Sequence, residues 1–447
     1  MTEKKIKINT LKNNIEKSFN HKGFIKYFAN TSWLFFERIF RMTLGLFIGV
    51  WVARYLGPEK FGLFSYVQSI VGIFIALAAL GLDEIVIREL VNNEEQKDVL
   101  LGTAFGLKII GSIPMLILLG VAVQFTSNDQ HTNVLIFIVA SSVIFQSFNV
   151  IDFYFQSKVL SKYIVYANII TLTISSVIKI ILILTNAKLI AFATVIAFDS
   201  FTLACGYIYF YYFNTLSIRS WRFDKQTAKR LLHDSWPLIL SSLVLMIHAR
   251  IDQVMIKEMI GNEEVGYYSV SLRLIELFGF IPMMLKSSVT PAFVSIRDNK
   301  ELYNFRFLNY YRLSFLLFLV TATPIYFFSE QIVILFFGVE YQRAGFLLAL
   351  FSTRLFFTNF GVARGVFILS ENLFMYSLVT MIIGTISNIM LNLVLIPLYQ
   401  GIGAIIATMI SFSITQFIID TVYKKTRENV ILSFKGVLTF YKIKVFK

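Results

Sequence analysis

Apolar runs recur from residue 31 to residue 423, each closed by a short polar break. Read break to break, they place spans near 31–55, 61–87, 99–124, 133–157, 162–186, 189–214, 233–258, 265–291, 307–329, 344–369, 373–398 and 401–423. Each exceeds the roughly 20 residues that a helix needs to cross about 30 Å of hydrocarbon. The pattern predicts an all-α polytopic membrane protein with twelve transmembrane helices. Between and around them it predicts a basic arm (1–30), a first lobe of six spans (31–215), a linker (216–232), a second lobe of six spans (233–423) and a basic tail (424–447).

Composition agrees. The 447 residues are 56% hydrophobic, with 46 Phe and a mean hydropathy of +0.69. Charged residues make up 15%, against about 25% in a soluble domain. The polar first 30 residues fit no cleavable signal. Cys205 is the only cysteine, and His21, His131, His233 and His248 are scattered, so neither a disulfide framework nor a metal centre is expected. No GxxxxGK[ST] loop is present, so no ATPase and no bound cofactor is expected.

The net charge of +14 raises nucleic acid as a partner, and its distribution removes it. With twelve spans both termini share a side. That side carries 26 of the 41 Lys and Arg, the other carries five, and ten lie within spans. The asymmetry predicts that both termini are cytoplasmic. In the basic arm, Ile8, Leu11, Ile15 and Phe19 recur at helical spacing, which suits either an interfacial helix on anionic lipid or a solvated tail that sets topology.

The ten cations within spans carry the functional reading. Burial of a charge at bilayer depth is costly unless it faces a polar interior, finds a partner or snorkels. Lys108, Lys286 and Arg312 lie near a cytoplasmic boundary and Lys179 near the outer one, where snorkelling suffices. Arg38 and Arg41 share a face of span 1, at the depth where span 2 carries Asp83 and Glu84, and a pairing across these spans is expected. Arg250 and Asp252 lie in span 7, and Arg273 and Glu276 share a face of span 8. Arg354 and Arg364 lie in span 10, and Arg354 has no carboxylate near it in its own span. Together Arg38, Arg41, Arg250, Arg273, Arg354 and Arg364 are expected to form a cationic ladder. Guanidinium groups suit a diphosphate, because the planar fork engages two oxygens at once. Asp152 and Asp199, within spans 4 and 6, either bind a coupling H⁺ or Na⁺ or neutralise a cation such as Lys179.

The halves echo each other. Gly57-Pro-Glu59-Lys-Phe-Gly62-Leu-Phe-Ser65 follows span 1, and Gly261-Asn-Glu263-Glu-Val-Gly266-Tyr-Tyr-Ser269 follows span 7. Both fit GxExxGxxS. Thr173-Ile-Ser175 and Ala193-Thr194 recur as Thr385-Ile-Ser387 and Ala407-Thr408. Two echoes in one order indicate duplication of a six-span unit. Such halves are related by an axis along the membrane normal and suit alternating access.

These residues carry a resemblance. The chain resembles the Wzx-like polysaccharide flippases, exporters of O-antigen and capsule units within the multidrug/oligosaccharidyl-lipid/polysaccharide superfamily. The resemblance covers nearly the whole chain. It rests on Ala53-Arg-Tyr-Leu-Gly-Pro-Glu-Lys-Phe-Gly-Leu-Phe-Ser65, Gly81-Leu-Asp-Glu-Ile-Val-Ile-Arg88 and Asp152-Phe-Tyr-Phe-Gln156. It continues with Ser235-Trp-Pro-Leu238, Arg250-Ile-Asp-Gln253 and Glu264-Val-Gly-Tyr-Tyr-Ser269. It implies two six-helix lobes in a V with an arginine-rich cavity. The implied cargo is an undecaprenyl-diphosphate-linked glycan, turned from the inner to the outer leaflet of the bacterial cytoplasmic membrane. Membrane lipids, a polysaccharide polymerase and other assembly proteins are the implied partners. Arg38, Arg41, Arg250 and Arg273 fall on the spans that line the cavity in this superfamily.

Three rivals share parts of the pattern. A multidrug cation antiporter of the same superfamily calls for an acidic or aromatic cavity, against ten cations here. A major-facilitator sugar porter calls for Gly-x-x-x-Asp-Arg between spans 2 and 3, which Glu89 to Asp98 lacks. A membrane enzyme such as a glycan polymerase calls for a long outer loop, and the outer loops are all short.

Overall fold

The computed structural model describes residues 22–443. The arm positions Ile8, Leu11, Ile15 and Phe19 lie outside the described residues. Among those described there is no strand. Helix α1, Lys22–Ala78, holds the first span and most of the second. It bends at Gly57, whose φ of 70° and ψ of 170° break the helix where Pro58 has no N–H to continue it. The second span restarts as α2, Asp83–Asn92, and the third is α3, Lys97–Val123. The fourth is divided into α4 (Gln130–Ala140), α5 (Ser142–Gln146) and α6 (Val150–Ser157), with a 3₁₀ turn at Ser147–Asn149 between α5 and α6.

Helices α7 (Lys162–Leu184), α8 (Leu189–Phe213) and α9 (Lys225–Met259) follow. The eighth span is broken at Gly279 into α10 (Asn262–Phe278) and α11 (Phe280–Ser295). Then come α12 (Lys300–Phe337), α13 (Gln342–Ser370), α14 (Phe374–Tyr399) and α15 (Gly401–Ser413). A π turn at Ile414–Ile418 leads into α16, Ile419–Val422, and α17, Arg427–Leu438, is followed by a 3₁₀ turn at Phe440–Lys442. Eleven helical stretches are long and apolar enough to cross a membrane, and the first, Ala29–Asn92, contains two of the twelve expected spans.

The chain forms two compact units whose boundaries cut across helices. The first comprises residues up to Ile48, Ile75–Val121 and Phe137–Ile239; the second comprises Gly49–Phe74, Ala122–Ile136 and residues from Leu240 onward. The core of the first is built from Leu82, Val86, Leu100, Ala104, Phe155 and Tyr211, among others. Trp221 of the linker closes it, donating its indole N–H to Tyr211 Oη at 3.1 Å. In the linker, the Asp224 carboxylate accepts the Thr227 N–H at 2.7 Å and caps α9, and bonds from the Thr227 side chain and then its N–H hold the carboxyl below its usual range.

The core of the second unit is aromatic, with Phe293 and Phe307 ring centroids 4.2 Å apart and Phe356 and Phe360 4.4 Å apart. The basic tail is not a loose extension. Helix α17 packs on α12, where Tyr311 Oη donates to Asn429 Oδ1 at 3.0 Å and Gly436 lies against the Tyr311 backbone. Arg312, expected to snorkel, is buried and bonds to Thr439 Oγ1, the Lys442 carbonyl and Asn309 Oδ1 at 3.0–3.1 Å. Its guanidinium satisfies the end of the chain instead of reaching toward water.

The repeated motif packs on itself within the second unit. A Cβ on Gly62 would overlap the Asn262 carbonyl, and one on Gly266 would overlap the Pro58 carbonyl. Gly62 corresponds to Gly266 and Pro58 to Asn262, so the contact is reciprocal, as a duplicated unit meeting its copy requires. Polar bonds flank it. Ser127 donates to Glu258 through its N–H (2.9 Å) and its hydroxyl (2.7 Å), and Tyr66 Oη donates to Glu258 at 3.1 Å. Lys257 donates to Ser127 Oγ at 3.2 Å.

Candidate functional site: a guanidinium cavity and a buried aspartate

In the second unit, α9 and α10 face the stretch 65–72 of α1 across a cavity of 260 Å³. Arg250, Arg273 and Glu276 line it, with Ser65, Gln68 and Ser69 opposite. Met246, Arg250 and Gln253 recur three and four residues apart, which brings all three to one face of α9. A polar chain crosses the cavity wall: Ser69 Oγ donates to Gln253 Oε1, and Gln253 Nε2 donates to Ser269 Oγ at 2.6 Å. Arg273 is half-buried with its guanidinium 4.8 Å from the Phe61 ring centroid, a cation–π contact that needs no carboxylate. Arg250 stands 3.9 Å from Glu276, a loose pair with both side chains partly exposed. Two guanidiniums and one carboxylate leave the lining with an excess of one positive charge.

Asp252, two residues from Arg250, points the other way, because successive α-helical positions lie 100° apart. It is 5% exposed. Its carboxylate accepts from Tyr268 Oη at 2.7 Å, Asn392 Nδ2 at 2.7 Å and Thr408 Oγ1 at 2.8 Å. No Lys or Arg pairs with it among the described residues. Asn392 Oδ1 is buried with no hydrogen-bond partner there, and Asn388 is fully buried one turn away. His248 lies one turn before Asp252 with both ring nitrogens buried and unpartnered among the described residues, its ring 5.1 Å from that of Phe412. Arg354 reaches the same ring at 5.7 Å and Phe351 at 5.9 Å, and it has no carboxylate within ion-pair distance among the described residues.

Residues 27–297 match the family of polysaccharide biosynthesis proteins. The chain belongs to that family. No curated protein matches the sequence at a significant level. Among solved structures, this family member is similar to an inward-facing multidrug resistance MATE family transporter of the MOP superfamily. The TM-score is 0.65 at 17% identity, over 90% of this chain and 95% of that one. It is also similar to the lipid II flippase MurJ in an inward closed conformation, with a TM-score of 0.67 at 16% identity over 93% and 92%. A MOP superfamily transporter from Pyrococcus furiosus matches with a TM-score of 0.54 at 16% identity over 94% and 95%. This family member is thus an all-α, multi-pass membrane protein whose fold is that of these solved transporters.

Within this family member the expected ladder shortens. Arg364 forms a bidentate pair with Asp420, Nε to Oδ2 at 2.6 Å and Nη2 to Oδ1 at 2.8 Å, and Tyr376 donates to the same carboxylate at 2.7 Å. Its charge is balanced within a packed ion pair. The expected pairing of spans 1 and 2 is also replaced: Arg41 pairs with Glu37 one turn earlier, and Asp83 pairs with Lys108 at 3.2 Å. Lys108 therefore does not snorkel; it is buried, with its ammonium 4.7 Å from the Phe153 ring centroid. Glu84 and Arg38 are exposed on the first unit. Lys179 pairs with Asp199 at 3.2 Å and donates to Ser175 Oγ at 2.7 Å, so Asp199 neutralises a cation. Asp152 accepts from Gln156 at 2.8 Å. Glu276 serves Arg250 instead of its own face-mate Arg273, and Asp252 serves no arginine. Of the six arginines, Arg250 and Arg273 share one cavity and Arg354 lies in the same unit beside Phe412.

The sequence reading missed three groups. Glu37 stood one turn before Arg41, a helical i,i+4 pair visible in the sequence. Asp420 lies inside span 12 and was the acid that Arg364 required. Asn388 and Asn392, also i,i+4, mark one polar stripe on an otherwise apolar span 11. Asp252, the partner of Asn392, is 140 residues away in sequence, which no local pattern shows.

Proposed function

We propose that this protein is a flippase for undecaprenyl-diphosphate-linked oligosaccharide, moving repeat units for surface polysaccharide from the inner to the outer leaflet by alternating access. The observation that carries this reading is the cavity holding Arg250 and Arg273 with a net positive lining inside apolar helices. A diphosphate is excluded from hydrocarbon by its charge, while a polyprenyl tail is at home there. Bidentate guanidinium groups supply the hydrogen bonds that the head group gives up on leaving water. Membership of the polysaccharide biosynthesis family supports a glycan cargo. The 26-to-5 distribution of Lys and Arg supports placement in the bacterial inner membrane with both termini cytoplasmic. A multidrug cation antiporter is disfavoured by the sign of the lining.

The test is flipping in proteoliposomes, with a fluorescent undecaprenyl diphosphate bearing one N-acetylglucosamine as cargo. Arg250→Ala should slow flipping about 10- to 100-fold, the worth of one charge-assisted interaction. Arg250→Lys should restore only part of the rate. Wild-type rates in Arg250→Ala and Arg273→Ala together would dispose of the diphosphate reading.

Coupling to an H⁺ or Na⁺ gradient is assigned to Asp252. A buried carboxylate held by three neutral donors, beside the unpartnered Asn392 Oδ1, offers oxygens to a small cation without a resident cation competing. Asp252→Asn should leave flipping driven only by the lipid concentration difference. Unchanged stimulation by both gradients in that variant would remove Asp252 from the coupling role.

A further inference from the structure

Two spanning helices of the first unit are broken, and both breaks meet at one cavity. Helix α1 ends at Ala78, and the chain turns through Leu80 and Gly81, with φ of 54° and 57°, before α2 restarts at Asp83. The fourth span breaks independently at the 3₁₀ turn Ser147–Asn149. A left-handed leucine is unfavourable for an L-residue, and irregular backbone at membrane depth is tolerated where it is buried in protein or lines a polar cavity. Between the breaks lies a cavity of 140 Å³, on the scale of one monosaccharide ring, lined by Asp83, Lys108, Gln146, Ser147 and Asn149.

The chemistry of this lining differs from that of the guanidinium cavity. Lys108 and Asp83 neutralise each other at 3.2 Å, so no cation is left for a phosphate. The remaining polar groups are two amides and a hydroxyl, which both donate and accept. Among the described residues, Gln146 is held by a 3.3 Å bond to Ser142 Oγ. Ser147 is 1% exposed, and its Oγ has no hydrogen-bond partner among the described residues. A buried hydroxyl without a partner is costly unless something bonds it. A neutral, hydroxyl-rich ligand fits this set, because each of its hydroxyls can accept from an amide or ammonium and donate to a carboxylate or carbonyl.

We propose that the double helix break in the first unit is a monosaccharide-recognition subsite, in which Asp83, Lys108, Gln146, Ser147 and Asn149 read the hydroxyls of one sugar of the cargo. This rests on the glycan-carrier reading above and adds to it a place where sugar identity is selected.

The experiment measures binding of polyprenyl diphosphate to the full-length protein in proteoliposomes, bare and carrying N-acetylglucosamine, N-acetylgalactosamine, galactose or rhamnose. For the wild type, at least one glycosylated lipid should bind about 10-fold or more tightly than the bare lipid, the worth of one or two hydrogen bonds. That gain should vanish in Ser147→Ala and in Asn149→Ala, with bare-lipid binding unchanged. Ser147→Ala deletes an oxygen that bonds nothing among the described residues, so a lost sugar preference in this variant is separable from a lost hydrogen bond within the fold. No sugar preference in the wild type, or a preference surviving both variants, overturns the subsite. Arg250→Ala is the separate control: it should weaken bare and glycosylated lipids alike. If it weakens neither, the diphosphate reading fails while the sugar result stands or falls by itself.

Discussion

Arg364 separates a transport arginine from a structural one. Its guanidinium holds both oxygens of Asp420, whose side chain is 1% exposed, and Arg364 itself is 13% exposed. Replacing Arg364 with Ala leaves a buried carboxylate with Tyr376 Oη as its remaining side-chain donor. Breaking a buried pair from one side costs about 3–5 kcal/mol, because the stranded charge keeps its desolvation penalty. Removing both partners in favour of apolar groups of similar volume, Arg364→Met with Asp420→Leu, should recover most of that, since a buried pair is roughly neutral against a hydrophobic replacement. The assay is denaturant titration of the purified protein in detergent, paired with flipping in proteoliposomes. The single variant should unfold at clearly lower denaturant, the double variant near the wild type, and the double variant should still flip lipid. If Arg364→Ala unfolds like the wild type yet flips nothing, the ion pair is not structural and Arg364 belongs to the route.

Three further outcomes follow from the packing. Gly62→Leu places a side chain into the Asn262 carbonyl across the reciprocal joint, where overpacking costs about 1–3 kcal/mol, so disulfide trapping between cysteines at Ser127 and Glu258 should become slower than in the parent pair. Arg312→Ala removes the two hydrogen bonds that hold the segment Thr439–Lys442, and limited proteolysis should then cut near Thr439 while the wild type resists; equal resistance would show that α17 docks without it. The lowered carboxyl of Asp224 contributes its cap above the usual carboxylate range and loses it as pH falls through the lowered value. Amide exchange at Thr227, corrected for intrinsic rate, should therefore lose protection toward low pH in the wild type and lack that step in Asp224→Ala.

The periodicity of apolar runs determined the class of the protein by itself. Hydrocarbon demands about 20 apolar residues per crossing and leaves backbone groups no partner but their own helix, so the spans are written locally. The motif echo was also legible, because Gly62 and Gly266 stand at equivalent places in two copies of GxExxGxxS, and the structure brings the two copies into contact. What each buried charge does was not legible. Arg364, read as a cavity rung, faces Asp420, and Asp252, read beside Arg250, turns away from it toward Asn392 and Thr408. An ion pair depends on which faces of distant helices meet, and only tertiary packing decides that. Lys108 and Arg312 make the same point: hydropathy placed them near a boundary, where snorkelling suffices, whereas packing gave each an internal partner. The helix breaks at Leu80–Gly81 and Ser147–Asn149 were not legible, because apolar runs continue on both sides of each break and average hydropathy reads them as one span. The sequence determined how many times the chain crosses; the tertiary structure decided which polar groups have partners and which are left for a ligand.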